Sequence, residues 1–173
     1  MDFNTVVEKY EKPIFNLIYR LVGDRDEAAD LTQETFLAAY KSLSEFRGEA
    51  SVYTWLYRIA VNKCKNAFKE RDRRRLYIAQ DAPSEEDLVQ ISNPVNAGEP
   101  AAELERKELK AQVEKAISEL PFEYRIVAVL RDLHGLAYSE ISEATGLSVD
   151  VVRTRIARAR AMLRRKLEPF LVE

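Results

Sequence analysis

The chain has 173 residues, of which 46% are hydrophobic and 32% charged, and its formal net charge is −2. A single cysteine excludes an internal disulfide, and with one histidine it leaves too few soft ligands for a zinc site, so we expect no metal and no cofactor. No apolar run approaches the ~20 residues that cross a bilayer, and the first residues lack the pattern of a signal peptide. These features predict a cytoplasmic protein with no direct membrane insertion.

The sequence predicts that the first part of the chain is helical. Few glycines and long stretches of Ala, Leu, Glu, Lys and Arg favour an all-α fold. An apolar helical repeat ends at Gly23, and Asp24 with Glu27 forms a capping box for the next helix. A third, long helix starts near Ser51. We predict a first helical domain over residues 1–78.

Cys64 and His134 are both predicted to be structural. Cys64 lies on a helical stripe with Val61 and Phe68, which is typical of a buried thiol. His134 directly precedes Gly135 and is expected to be a turn residue rather than a catalyst.

Residues 79–102 carry acidic residues and three prolines and are predicted to be a flexible acidic linker. Two basic clusters flank this linker, one at residues 63–75 and the other at residues 153–166. Two basic patches separated by an acidic tether point to a nucleic-acid partner. A second helical domain is predicted over residues 103–173, with helices at 103–119, 122–133, 138–144 and from 148.

Residues 138–160 have the pattern of a helix-turn-helix. Gly146 permits the tight turn, and Ser148 can cap the second helix, whose start can also face a phosphate. One face of that helix is an apolar stripe of Val152, Ile156, Ala159, Leu163 and Leu167. The opposite face is polar and basic, which suits reading of a DNA major groove. The alternative is a solvated basic helix with no ligand.

Residues 46–66 combine aromatic, basic and amide side chains. This mixture suits single-stranded DNA, because bases stack on rings while phosphates meet cations. Tyr53 and Tyr57 are four residues apart, however, so core packing is an alternative for any single aromatic of the segment.

Four stretches resemble the extracytoplasmic-function sigma factors, and the sigma-E-like members in particular. In chain order they are DLTQETFLAAYKSL, FRGEASVYTWLYRIAVNKCKN, ISELPFEYRIVAVLRDLHGLAYSEI and SVDVVRTRIARAR. The resemblance implies an alternative sigma factor that binds core RNA polymerase at its clamp coiled coil and flap. It further implies recognition of the −35 and −10 promoter elements, promotion of DNA opening, and control by an anti-sigma factor.

The resemblance also implies roles for individual residues. Contact with core polymerase would be made by Asp30, Gln33 and Glu34. The −10 element would be bound by Phe46, Arg47, Gly48, Ala50, Asn62, Lys63, Lys65, Asn66 and Lys69. The −35 element would be bound by Ser148, Arg153, Thr154, Arg155 and Arg158.

Two alternatives to this function remain at the level of sequence. A stand-alone helix-turn-helix regulator would explain residues 138–160 but not the aromatic segment, and an adaptor would only bridge proteins. An enzyme is disfavoured, because the sequence offers no nucleophile–base pair, metal cluster or phosphate-binding glycine loop. The acidic linker either occupies a basic channel of the polymerase, as the resemblance implies, or is a plain tether.

Overall fold

A computed structural model describes residues 2–78 and 100–171, so most of the predicted linker lies outside the described residues. Within the described ranges the protein consists of helices joined by short turns, which confirms the predicted all-α class. The α-helices are α1 (Phe3–Val22), α2 (Arg25–Lys41), α3 (Val52–Ile78), α4 (Ala101–Ser118), α5 (Phe122–Ala128), α6 (Tyr138–Thr145) and α7 (Val149–Leu171). We call residues 2–78 the first block and residues 100–171 the second block.

In the first block, the end of α1 and the start of α2 have the predicted capping residues. Gly23 ends α1 in a left-handed conformation with φ of 78°, which a residue with a Cβ atom adopts only at a cost. The side chain of Asp24 then accepts a hydrogen bond of 2.8 Å from the backbone N–H of Glu27 at the start of α2. A short 3-10 turn, Leu43–Glu45, follows α2 and leads into the loop before α3.

The three helices of the first block share one apolar core. Ile14, Leu17 and Ile18 of α1 are fully buried, as is Cys64 of α3. The predicted burial of Cys64 is thus confirmed, and burial raises the pKa of its thiol to about 12. Arg71 connects the C-terminal half of α3 to the end of α1, because its guanidinium donates a 2.9 Å hydrogen bond to the carbonyl oxygen of Val22.

The second block contains α4 to α7. Here α5 runs directly into a π-helical turn, Val129–Leu133, which ends at His134. Leu136 and Ile141 are buried beneath α7 and the preceding helices. The predicted helices are all present, although α4 begins at Ala101, two residues before the expected start, and α5 changes its winding at Val129.

The two blocks pack against each other, which the sequence did not lead us to expect. Helix α3 lies along α6, and α1 contacts α4 and the π-helical turn. The rings of Phe68 and Phe122 stack across this interface, with centroids 4.3 Å apart and planes within 5°. Buried side chains of both blocks form one contiguous apolar cluster. The described part of the chain is therefore a single packed body.

Candidate nucleic-acid interface

The three residues expected to contact polymerase lie on one exposed face of α2. Asp30, Gln33 and Glu34 all face solvent, while Leu31 and Thr35 on the other side of the helix are buried. Because residues three and four apart are neighbours on a helix surface, the three polar side chains form one patch.

Two large apolar side chains extend the same face, and sequence reasoning missed them. Leu37 is 58% exposed and Tyr40 is 63% exposed, at helical spacing from Gln33. They line an open groove between α1 and α2 together with Phe3 and Val7. Their signal in the sequence was the presence of apolar residues on a face that is otherwise polar.

The loop before α3 presents the first group of predicted DNA contacts. The Phe46 ring packs on Trp55 at a centroid distance of 4.8 Å, while Arg47 and Gly48 are exposed. Gly48 has φ of 73°, so the sharp turn at this point favours glycine. The hydroxyl of Ser51 accepts a hydrogen bond from the backbone N–H of Thr54 and starts α3. Ala50 is half-buried at the base of the loop.

The polar side chains of α3 fall into two groups. Asn62, Asn66 and Lys69 form an exposed stripe, with Lys63 half-buried beside it. Lys65 lies on another side of the helix, where its Nζ donates a 2.9 Å hydrogen bond to the carbonyl oxygen of Thr145 in α6. The structure thus places Asn62, Asn66 and Lys69 on one exposed side of α3 but directs Lys65 to the second block.

The aromatic residues of α3 also divide. Tyr57 is fully buried, and its hydroxyl donates to the hydroxyl of Tyr53 over 2.7 Å. The same oxygen lies 2.7 Å from Nδ1 of His134 in the second block. Burial raises the pKa of Tyr57 above its usual value, so this phenol stays protonated. Core packing, the alternative considered for single aromatics, is therefore correct for Tyr57.

The helix-turn-helix has the predicted local structure. Gly146 ends α6 with φ of 76°, and the hydroxyl of Ser148 accepts a hydrogen bond of 3.3 Å from the backbone N–H of Val151. Val152 and Ile156 are buried, as the apolar stripe predicts. The stripe is completed by Ala159, which is buried, and by Leu163 and Leu167, which are half-buried.

The outer face of α7 carries the second group of predicted DNA contacts. Arg153, Thr154 and Arg158 are exposed together. Arg155 is half-buried and lies close to Lys65. Burial lowers the pKa of the Lys65 amine, and the positive charge of Arg155 lowers it further. Arg160 is set apart from this face, because its guanidinium donates hydrogen bonds to Asp132, the shorter of them 2.6 Å.

Comparison with known proteins gives the family. Residues 6–74 match sigma-70 region 2, and residues 110–163 match sigma-70 region 4. The RNA polymerase sigma-H factor of Pseudomonas aeruginosa is 39% identical over 177 aligned residues, which cover 99% of this chain and 89% of that protein. The ECF RNA polymerase sigma-E factor of Haemophilus influenzae is 36% identical over 98% of this chain and 89% of its own length. The chain belongs to the extracytoplasmic-function sigma factors.

Solved structures agree with this sigma-factor fold. The sigma factor RpoE in complex with the anti-sigma factor NepR from Bartonella quintana superposes with a TM-score of 0.74 at 20% identity, covering 96% of this chain and 97% of that one. CnrH in complex with the cytosolic domain of CnrY gives a TM-score of 0.67 at 25% identity, covering 96% and 88%. The predicted family and the two-domain helical class are confirmed.

The family assignment also decides between the general functions considered above. The chain is an alternative sigma factor that acts in transcription initiation, and the stand-alone regulator is not favoured. Sigma factors are non-catalytic initiation factors. Among the described residues, no helix is long and apolar enough to span a membrane, and no cluster of His, Cys, Asp and Glu could hold a metal ion.

Proposed function

We propose that this sigma factor binds core RNA polymerase and promoter DNA through three separate surfaces and itself catalyses no reaction. The observation that carries the proposal is that α3 and α7 each bury one side and present hydrogen-bond donors on the other. Such helices can hold a rigid reading face while their apolar side is anchored in a domain.

The face of α2 with Asp30, Gln33 and Glu34 is proposed to contact the clamp coiled coil of the polymerase. Its carboxylates and amide would accept charge-assisted hydrogen bonds from a basic partner. The exposed Tyr40 supports this assignment, because tyrosine is enriched at protein interfaces, and the exposed Leu37 adds apolar surface beside it. The second block is proposed to contact the polymerase flap.

The loop before α3 and the stripe on α3 are proposed to bind the −10 element as a single strand. The loop would hold an extruded base near Phe46, Arg47, Gly48 and Ala50. The following helix would hold the base edge and nearby backbone through Asn62, Lys63, Lys65, Asn66 and Lys69. Stacking of one captured base contributes about 1–3 kcal/mol, comparable to the roughly 1.4 kcal/mol needed to separate one base-pair step.

The outer face of α7 is proposed to read the −35 element in the major groove. Arg153, Thr154, Arg155 and Arg158 would face bases and phosphates, and Ser148 at the start of the helix would face a phosphate. Exposure of three of these side chains on one face supports the assignment.

The domain boundaries proposed from sequence, 1–78 and 103–173, are retained. They are supported by the matched ranges 6–74 and 110–163, which fall inside them. For residues 79–102 the two roles considered, a tether and a segment within the polymerase, are both kept.

An anti-sigma factor is proposed as a further protein partner. The proposal is supported by the similar solved structure of the sigma factor RpoE from Bartonella quintana, which is in complex with the anti-sigma factor NepR. Co-purification with a co-expressed candidate from the same operon would test it. Lack of any complex with such candidates would contradict this part of the proposal alone.

Runoff transcription tests the main proposal. We expect the protein to bind promoter duplex weakly alone and to start transcription only with core polymerase. Replacing Asp30, Gln33 and Glu34 by alanine should weaken core binding and transcription together. A matched control replaces Glu8, Lys12 and Asn16, exposed polar residues of α1 that belong to none of the proposed surfaces, and should leave both unchanged. Tight, specific operator binding without core polymerase would contradict the proposal.

A further inference from the structure

Arg160 lies in helical register with a proposed −35 contact, although its side chain is bonded elsewhere. It follows Arg153 by seven residues, which is about two turns, so both side chains leave α7 on the same side. Arg164 continues this row four residues later, and all three arginines are exposed. Helical position alone would therefore direct Arg160 to the same DNA strand as Arg153.

Asp132 holds the Arg160 guanidinium in an ion pair that uses both carboxylate oxygens. Nη2 of Arg160 donates to Oδ1 over 2.6 Å, and Nε donates to Oδ2 over 3.3 Å. The side chains of Arg160 and Asp132 are 48% and 39% exposed. Because two parallel bonds fix the direction of the planar guanidinium, Arg160 is not free to turn towards another anion while the pair is intact.

The π-helical turn Val129–Leu133 places Asp132 beside α7. The neighbouring Arg131 connects the same turn to α6, because its guanidinium lies 4.9 Å from the ring centroid of Tyr138. Arg131 also donates a 2.8 Å hydrogen bond to the carbonyl oxygen of Leu136. The carboxylate of Asp132 is therefore held in place relative to both helices of the helix-turn-helix.

Arg153 is paired far more loosely than Arg160. One nitrogen of its guanidinium lies 3.5 Å from Asp150, whose side chain is 92% exposed. An exposed ion pair of this kind, between neighbours on one helix, contributes little. Arg153 is therefore available to DNA, whereas Arg160, in the same row, is occupied by Asp132.

An unpaired Arg160 could reach a DNA phosphate. Seven residues of α-helix extend about 10 Å, and the major groove of B-DNA is about 12 Å wide. When Arg153 lies over bases inside the groove, Arg160 therefore lies near the phosphates at its edge. A phosphate contact adds affinity for every sequence, because it does not read the bases.

We propose that Asp132 is a positioning residue that keeps Arg160 away from the phosphate backbone and thereby limits sequence-independent binding of the −35 duplex. The inference rests on the proposed function, because it requires α7 to lie in the major groove. Asp132 removes one cation from the DNA-binding side of α7, and a larger share of the affinity then comes from contacts with bases.

The salt dependence of duplex binding tests the proposal. The full-length protein is reconstituted with core polymerase, and competition binding measures its affinity for promoter fragments with a matched or a mismatched −35 element. Asp132→Asn should raise both affinities about two- to tenfold, because Arg160 gains a phosphate contact. The slope of log affinity against log salt concentration should become steeper by about 0.9. An unchanged slope, which a purely structural ion pair would give, would overturn the proposal.

The matched control is Glu119→Gln, which removes the same charge from another ion pair of α7. Lys166 donates to Glu119 over 2.8 Å, and these side chains are 37% and 45% exposed. Lys166 lies about 20 Å along α7 from Arg153, beyond the width of the groove, so its release should not change the slope. Equal steepening in the two variants would assign the effect to net charge and overturn the restraint of Arg160.

Three further variants show whether Arg160 itself is responsible. The gain from Asp132→Asn should be smaller in the background of Arg160→Ala, and an equal gain there would contradict the proposal. Asp132→Glu keeps the carboxylate and should keep the wild-type slope. Asp132→Ala, measured in parallel, should steepen the slope as Asp132→Asn does. Circular dichroism establishes that each variant is folded.

The failures of the two proposals are distinguishable. If Asp132→Asn behaves like Glu119→Gln while Arg158→Ala still lowers −35 discrimination, the restraint of Arg160 is wrong and the proposed −35 surface stands. If Arg158→Ala leaves the discrimination unchanged, the proposed −35 surface fails whatever the salt slopes show.

Discussion

The two proposed DNA readers differ in how much of their structure is local. The helix-turn-helix is built from neighbours in sequence: Gly146 turns the chain, Ser148 caps α7, and Ile141 and Ile156 are both buried in the core. The reader on α3 depends on distant partners, because Tyr57 bonds to His134, 77 residues away, and Lys65 to Thr145, 80 residues away. The helix-turn-helix can therefore be identified from its sequence pattern, whereas the surface on α3 is defined by the second block that packs against it.

The largest expected effect tests the core of the helix-turn-helix. Ile156 is 1% exposed, so Ile156→Ala should lower the free energy of unfolding by about 2–5 kcal/mol through lost burial and a residual cavity. Urea denaturation measures it. Val151→Ala, five residues earlier in the same helix and 39% exposed, serves as the control. Equal losses in the two variants would show that α7 does not bury the face described here.

The next effect tests readout by that helix. Arg158→Ala should reduce discrimination between matched and mismatched −35 duplexes by about 1–3 kcal/mol, because a bidentate contact to guanine is lost. Competition binding with reconstituted polymerase measures it. Arg160→Ala is the comparison, since Arg160 bonds to Asp132 and should change stability rather than discrimination. Loss of discrimination only in the Arg160 variant would reverse the assignment of faces.

A pH effect of intermediate size tests the dependence of α3 on distant partners. Burial, with the positive charge of Arg20 nearby, lowers the pKa of His134 to about 4. A freely exposed histidine titrates near 6.5, so below that pH the unfolded chain binds a proton that the folded protein does not. The free energy of unfolding should therefore fall by up to about 1.4 kcal/mol from pH 7.5 to 5.5. Urea denaturation at the two pH values measures this change.

His134→Gln is the control for this pH effect, because glutamine keeps a hydrogen-bonding group beside Tyr57 and does not titrate. The charged or titratable groups that act on His134 are Arg20, whose positive charge lowers the pKa of the imidazole, and Tyr57, which is hydrogen-bonded to it. A pH response of the same size in the Gln variant would assign the effect to another part of the interface.

The smallest effect separates strand opening from duplex binding. Asn62→Ala should slow promoter opening about two- to tenfold through loss of a hydrogen bond, and should affect the closed complex less. A fluorescent base in the −10 element reports opening, and filter binding reports the closed complex. Gln33→Ala, on α2, should instead weaken association with core polymerase. Equal loss in both assays for Asn62→Ala would contradict a role in strand capture.

Much of the fold was predictable because its signals are short-range. The end of α1 at Gly23, the cap by Asp24 and the buried stripe of α7 each depend on residues within a few turns. The burial of Cys64 followed from helical spacing in the same way. These are features for which periodicity and capping chemistry are sufficient.

The rest depended on contacts that no local pattern encodes. The packing of the blocks relies on side chains such as Arg125, which donates to the carbonyl oxygen of Leu21, 104 residues away. Phe68 reads as a core residue of its own helix, yet its ring stacks on Phe122 of the other block. Leu37 and Tyr40 were missed for a different reason: their exposure reflects the lack of a covering element, which sequence periodicity cannot reveal.

The burial of Cys64 has a practical consequence for studying the protein. A thiol with a pKa of about 12 is almost wholly protonated at neutral pH, and only the thiolate reacts rapidly with alkylating reagents. Modification by iodoacetamide will therefore proceed only when the packing around α3 is lost. The rate of that modification therefore reports the unfolding of the first block, and mass spectrometry can measure it without any engineered label.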